Sequence, residues 1–317
     1  MMTPEKWKGH GFILIANVFF AINLPVSKYL IPEHVSPEAL TLLRSMFGCA
    51  MFWLVSLFVK GEAVNRKDLG ILFFCALCGF ALNSTLFMTG LNLTSPVDAS
   101  IIATAGPIYV MLLAAVVLKE PITLKKAFGV LMGVGGAVLM ILTSAQAQAH
   151  GEAGLNGAVR IVLSNLLYSV YVVLSRPLSQ RYSAVTIMKW VFLFSTVMLL
   201  PFMYKDGLAT PAFHRSAWMW KEIGALGYVL IFATFIPYML IPMSLRRLRP
   251  TTVSMYNYIQ PIIASMIAVL VGQGSFTVWK IVSTLFVFTG VYLVTQSKSR
   301  EDVEREMKQS SQSHIKE

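Results

Sequence analysis

At 317 residues, 56% hydrophobic and 13% charged, with mean hydropathy +0.66, the chain is far too apolar for a soluble protein. A formal charge of +11 would ordinarily raise nucleic acid, but the basic residues are spaced between long apolar runs, so no nucleic-acid partner is expected. Cys49, Cys75 and Cys78 lie inside such runs and offer no disulfide framework; "CALC" at 75–78 is read as small residues for helix packing rather than a redox pair.

Apolar runs of about 20 residues are read as transmembrane helices, because only a helix satisfies its own backbone in hydrocarbon. In chain order they fall at 9–31, 37–59, 68–90, 97–118, 124–143, 157–177, 185–204, 222–245, 251–271 and 276–296. The expected fold class is an all-α integral membrane protein with ten transmembrane helices. The first run follows Lys6 and Lys8 but is too long for a signal-peptide core, so it is read as retained. Residues 1–8 form a cytoplasmic N-terminus, 144–156 an external linker, and 297–317 a cytoplasmic polar tail too polar to bury a core.

Orientation follows from the basic residues, which are retained on the cytoplasmic side. With the N-terminus inside, eighteen Lys and Arg fall in inner segments, against three (Lys205, Arg215, Lys221) in outer loops. Both termini are therefore expected on the cytoplasmic face of a multi-pass protein of the bacterial inner membrane, and the net charge reflects topology and attraction to the lipid bilayer.

The chain repeats itself. At an offset of 154, Pro96 matches Pro250, Ser100 matches Ser254, Pro107 matches Pro261, and the match runs on through Thr123 with Thr277, Lys126 with Lys280 and Gly136 with Gly290. A weaker echo at 148 matches Gly9 with Gly157, Asn17 with Asn165 and Lys28 with Arg176. The expected organisation is two five-helix repeats, 9–143 and 157–296. Five is odd, so the second enters the membrane from the opposite side. Inverted repeats mark alternating-access transporters whose substrate sites lie near midplane between the halves.

The stretches "FFAINLPVSKYL" (19–30), "PEALTLLRSMF" (37–47) and "SPVDASIIATAGPIYVMLLAAVVLKEPITLKKAFGVLMGVGGAVLMI" (95–141) resemble the EamA family of the drug/metabolite transporter superfamily, and the likeness spans 9–296. It implies a ten-helix secondary transporter of small metabolites with cytoplasmic termini. Glu120 of the Glu120-Pro121 turn is Gly274 in the second copy, so a role for that glutamate does not transfer.

The candidate chemistry is polar rather than catalytic. Pro107 and Pro261 each interrupt an apolar helix and free a carbonyl four residues back, on Ala103 and Asn257. In lipid that costs several kcal/mol, so the kinked faces should point to protein or a wet cavity. This face carries Thr104 in the first copy and Asn257 and Tyr258 in the second, with Tyr256 and Gln260 nearby. Asn17, Asn23, Asn83 and Asn165 serve either as glue between helices or as substrate contacts. Tyr109, Tyr168 and Tyr171 could enclose a small organic solute. Arg44 sits roughly 10 Å inside the second span, facing either the path or the interface. The resemblance places it at the family's basic position after the short loop. Lys28, Arg160, Lys189 and Lys280 are expected to snorkel. Gly129 and Gly133, with Gly135 and Gly136 following, should let the fifth helix pack closely within the chain; a homodimer face is the alternative.

No carboxylate is expected at membrane depth, since Glu38, Asp98, Glu120 and Glu222 lie at helix edges, and the histidines fall at termini or in loops. That disfavours a pump for lipophilic cations. No catalytic residue, metal or cofactor is expected. The function expected is a secondary transporter, an exporter or permease, moving a small polar metabolite such as an amino acid or related zwitterion or anion. The alternatives are a broad exporter of neutral or aromatic compounds and, from another class, a membrane enzyme or sensor. The cavity walls are expected on helices 1, 3, 4, 6, 8 and 9.

Overall fold

The computed structural model describes residues 4–94, 99, 102, 103, 105–142, 152–208, 220–260, 262, 263, 266 and 278–297. Among them the chain is helical throughout, in ten helices: α1 (Pro4–Leu30), α2 (Pro37–Ser56), α3 (Arg66–Leu93), α4 (Gly106–Val117), α5 (Leu124–Leu142), α6 (Glu152–Arg181), α7 (Ala184–Leu208), α8 (Trp220–Leu245), α9 (Pro250–Met255, continued by a tighter turn at Tyr256–Tyr258) and α10 (Val278–Thr295). Six of these, α1, α2, α3, α6, α7 and α8, are long and apolar enough to cross a membrane, and α4 is a shorter apolar helix.

Local signals start the helices. The Ser36 hydroxyl accepts from the Ala39 N–H at 3.1 Å, and Pro37 takes the first helical position, where a missing N–H costs nothing. Asn65 caps α3 through Lys67. Lys119, at φ 53°, closes α4 in the left-handed conformation and turns the chain back toward α5.

Pro107 occupies the first turn of α4, after a turn at Ala105. The expected mid-helix kink is thus a break with a fresh helix start, which proline tolerates. Pro261 and Thr104 lie outside the described residues.

The sequence reading missed two π-helical turns. One spans Leu77–Ala81 within α3 and the other Ile231–Phe235 within α8, 154 residues further on. Each is marked by an i→i−5 hydrogen bond, Leu82 N–H to Leu77 O and Ile236 N–H to Ile231 O. Such turns widen the helix and redirect its carbonyls.

Helix pairing is regular. The pairs α1 with α8, α3 with α6, α2 with α7, α4 with α9 and α5 with α10 are all in contact. Exchanging every helix with the one five places away maps this set onto itself. Glycines permit the closest approaches. Gly129 and Gly133 on α5 face Gly290 on α10, Gly133 also receives the Tyr258 ring, and Gly79 in the first π turn is covered by Tyr171. Gly129 and Gly133 therefore pack within the chain, whereas Gly135 faces open space.

Candidate functional site

A cavity of about 670 Å³, counting space open to solvent, lies among α1, α2, α3, α6, α8 and the turn after α9. Seven of the residues singled out from sequence line it: Asn23, Arg44, Asn83, Asn165, Tyr168, Asn257 and Gln260. The sequence leaves Arg44 open to either the path or the interface, and α2, which carries it, is not among the helices expected to wall the cavity. Phe20, Ser84, Phe87, Ser164 and Tyr238 complete the polar and aromatic surface. Tyr238 follows directly on Pro237, and that proline-tyrosine pair inside an apolar run was the signal available for it.

Arg44 is 4% exposed. Its Nε donates to Thr234 Oγ1 at 2.8 Å and its Nη2 to the Ala233 carbonyl at 3.2 Å, both in the second π turn. Pro237 explains why that carbonyl is available, since proline has no N–H to return to the residue four places back. Thr234 in turn donates to the Val229 carbonyl at 2.8 Å. The guanidinium also stands 5.7 Å from the Phe80 ring centre, within cation–π range. Arg44 thus belongs to the cavity wall. Among the described residues no carboxylate hydrogen-bonds or ion-pairs with it.

The amides form cross-links. Asn83 Nδ2 donates to the Ser164 carbonyl and hydroxyl, each at 2.9 Å, joining α3 to α6. Gln260 Nε2 donates to Asn17 Oδ1 at 3.0 Å, while Asn17 Nδ2 donates to its own helix at Ile13 O. Asn17 is therefore buried behind the wall at 1% exposure. Asn165 Nδ2 is buried without a hydrogen-bond partner. Asn257 reaches toward α4, where a Cβ on Gly106 would lie 3.6 Å from its Nδ2.

Four predicted residues lie elsewhere. Tyr171 is fully buried against Gly79, with its ring 5.7 Å from that of Tyr168. Tyr258 packs on Gly133, and Tyr109 is not part of the cavity wall. Tyr256 meets His10 Nδ1 through its hydroxyl at 2.7 Å. His10 corrects the expectation that all histidines sit at termini or in loops: α1 begins at Pro4, which draws His10 into the helix at 8% exposure. Lys28, expected to snorkel, has fixed partners. Its ammonium caps the end of α3 through the carbonyls of Leu91, Asn92 and Thr94 at 2.9–3.0 Å, groups that a helix C-terminus leaves unpaired.

A second set of contacts joins helix ends at the basic side. Arg247 pairs with Glu5 at 2.9 Å, and Asp68 accepts from Arg181 at 3.1 Å and from Tyr182 at 2.8 Å. Glu62 accepts from the Ser183 N–H at 2.8 Å. Burial would raise the Glu62 carboxyl, but its hydrogen bonds from Ser183 and Thr186 hold it below the usual carboxylate value. Lys126 is buried against Glu120 at 2.6 Å, and Thr251 donates to the same carboxylate. Among the described residues no group of three or more His, Cys, Asp or Glu could hold a metal ion.

The chain is a multi-pass helical membrane protein with a polar, arginine-bearing cavity between paired helices, an arrangement that suits a solute transporter. The chain matches the EamA-like transporter family over residues 7–142 and 155–296, and it belongs to that family. It is similar to an uncharacterized transporter of Archaeoglobus fulgidus, 21% identical across 93% of this chain and 100% of that one. It is also similar to the uncharacterized transporter YyaM of Bacillus subtilis, 21% identical across 87% and 89%. A WAT1-related protein of Arabidopsis thaliana is 22% identical across 94% and 88%. A solved crystal structure shares the fold, with a TM-score of 0.69 over 93% of this chain and 97% of that one at 18% identity.

Proposed function

We propose that this protein moves a small polar metabolite, such as an amino acid or a related zwitterion or anion, across the cytoplasmic membrane by alternating access. The observation that carries the proposal is the cavity itself, walled by amides, tyrosines and Arg44 drawn from both halves of the chain. Two halves inverted in the membrane are supported by the π turns 154 residues apart and by the helix pairing that survives exchange of the halves. Such repeats rock about a central site.

In this proposal all ten helices span the bilayer, with both termini cytoplasmic. The contacts of Glu5, Glu62, Asp68 and Glu120 then lie on the cytoplasmic side and hold that side shut. A periplasmic reporter fused after Glu317 is expected to stay inactive, and an active fusion would reverse the orientation.

The direct test is flux. Purified protein in liposomes, loaded with pooled metabolites, should exchange at least one small polar solute faster than empty liposomes; failure across the pool with the fold intact would overturn the transport proposal. Within that assay, Asn257→Leu is expected to lower flux severalfold while the protein still inserts and purifies normally. Unchanged kinetics would remove the turn after α9 from the site.

A further inference from the structure

Among the described residues lining the cavity, Arg44 is the one that carries a charge, and none is Asp or Glu. Burying a cation without a counter-charge costs several kcal/mol even after relaxation. Here that cost is only partly offset, because Arg44 spends two N–H groups on neutral oxygens of α8 and has no carboxylate partner among the described residues. Those two bonds also orient the guanidinium, leaving further N–H donors of its planar fork for a ligand. A second donor lines the same cavity. Asn165 Nδ2 is buried without a partner and belongs to the same wall.

The rest of the described wall is uncharged, with aromatic rings from Phe20, Phe87, Tyr168 and Tyr238 and neutral amides and hydroxyls between them. A substrate cation would meet Arg44 with nothing to neutralise it, and a zwitterion would have to leave its ammonium group facing neutral oxygens alone. We propose that the cavity selects a small monoanionic carboxylate with an apolar or aromatic body, its carboxylate held by the Arg44 guanidinium with Asn165 as the second donor. This inference rests on the transporter proposal and narrows its substrate class to anions.

The test uses four probes of one shape and different charge: phenylacetate, phenylacetamide, 2-phenylethylamine and phenylalanine. Binding to the purified full chain in lipid nanodiscs is measured by calorimetry at neutral pH. Phenylacetate is expected to bind at least tenfold tighter than the other three. Arg44→Gln should erase that preference, and Arg44→Lys, which keeps the charge but loses the fork, should retain part of it. If Arg44→Gln does not fold, the Arg44→Lys comparison still decides.

Equal binding of the amide, tighter binding of the amine or the zwitterion, or no binding of phenylacetate would each overturn the anion inference. So would an Arg44→Gln protein that keeps the carboxylate preference. The two proposals fail separately. Liposomes that move neutral or zwitterionic solutes without competition from phenylacetate sink only this inference, whereas liposomes that move nothing sink the transport proposal.

Discussion

Gly290→Leu is expected to abolish recovery of folded, monodisperse protein from the membrane. On α10, a Cβ at this position would come within 2.5 Å of the Gly129 carbonyl oxygen and 2.8 Å of the Gly133 nitrogen. Carbon atoms in good contact stand about 3.5–4.0 Å apart, so even alanine is too large. Overpacking costs about 1–3 kcal/mol where side chains can yield. Here the three nearest atoms all belong to the α5 backbone at Gly129 and Gly133, so no flexible side chain can swing aside to make room. Size-exclusion of detergent-solubilised protein should show the monodisperse peak lost for Gly290→Leu and kept for Gly135→Leu, since Gly135 faces open space. A normal peak for Gly290→Leu would mean that α5 and α10 do not pack as described.

The second large effect concerns Lys126. Its side chain is 1% exposed and lies 2.6 Å from Glu120, itself 10% exposed. Lys126→Met keeps the length of the side chain but strands the carboxylate away from water. Breaking a buried pair from one side typically costs about 3–5 kcal/mol, whereas replacing both partners by neutral groups is often close to neutral. Lys126→Met should therefore lower the thermal unfolding midpoint sharply, and the double variant Lys126→Met with Glu120→Gln should recover most of the loss. A single variant as stable as the parent, or a double variant no better than the single, would show that the pair does not hold these ends together. Glu120 also accepts from Thr251, so the single variant should loosen the start of α9 as well.

Lys126 shows where the sequence could not see far enough. It read as one of the basic residues that set topology, and nothing local marks a lysine that folds back onto a glutamate six residues away. The turn that brings them together depends on Lys119 adopting φ 53°, a conformation that a lysine does not announce. His10 was misplaced for a related reason. A count of apolar residues starts the first helix at Gly9, while the helix itself begins at Pro4, because polar residues continue a helix as readily as apolar ones where the chain leaves the bilayer.

The amides were legible as a class. Asparagine and glutamine inside apolar runs must find partners, and Asn23, Asn83, Asn165, Asn257 and Gln260 do meet around one cavity. Asn17 shares their chemistry but lies behind the wall, bonded to Gln260. Tyrosines were harder to sort, since a ring with one polar atom suits a core, an interface or a cavity. Tyr168 lines the cavity, whereas Tyr171, three residues further along α6, is buried against Gly79.

The amino-acid sequence by itself determined the solvent, the family and the repeat. Hydropathy, basic-residue placement and an offset of 154 are sums over many residues, and no single contact can overturn them. Only the tertiary structure decided what Arg44 does. Its depth left both the path and the interface open, and the deciding groups, Ala233 and Thr234, lie about 190 positions away on a different helix. A π turn and Pro237 present those oxygens there. Whether a buried guanidinium is anchored, and toward what it points, depends on which acceptors the fold carries to it, and that is a property of helix packing rather than of local sequence.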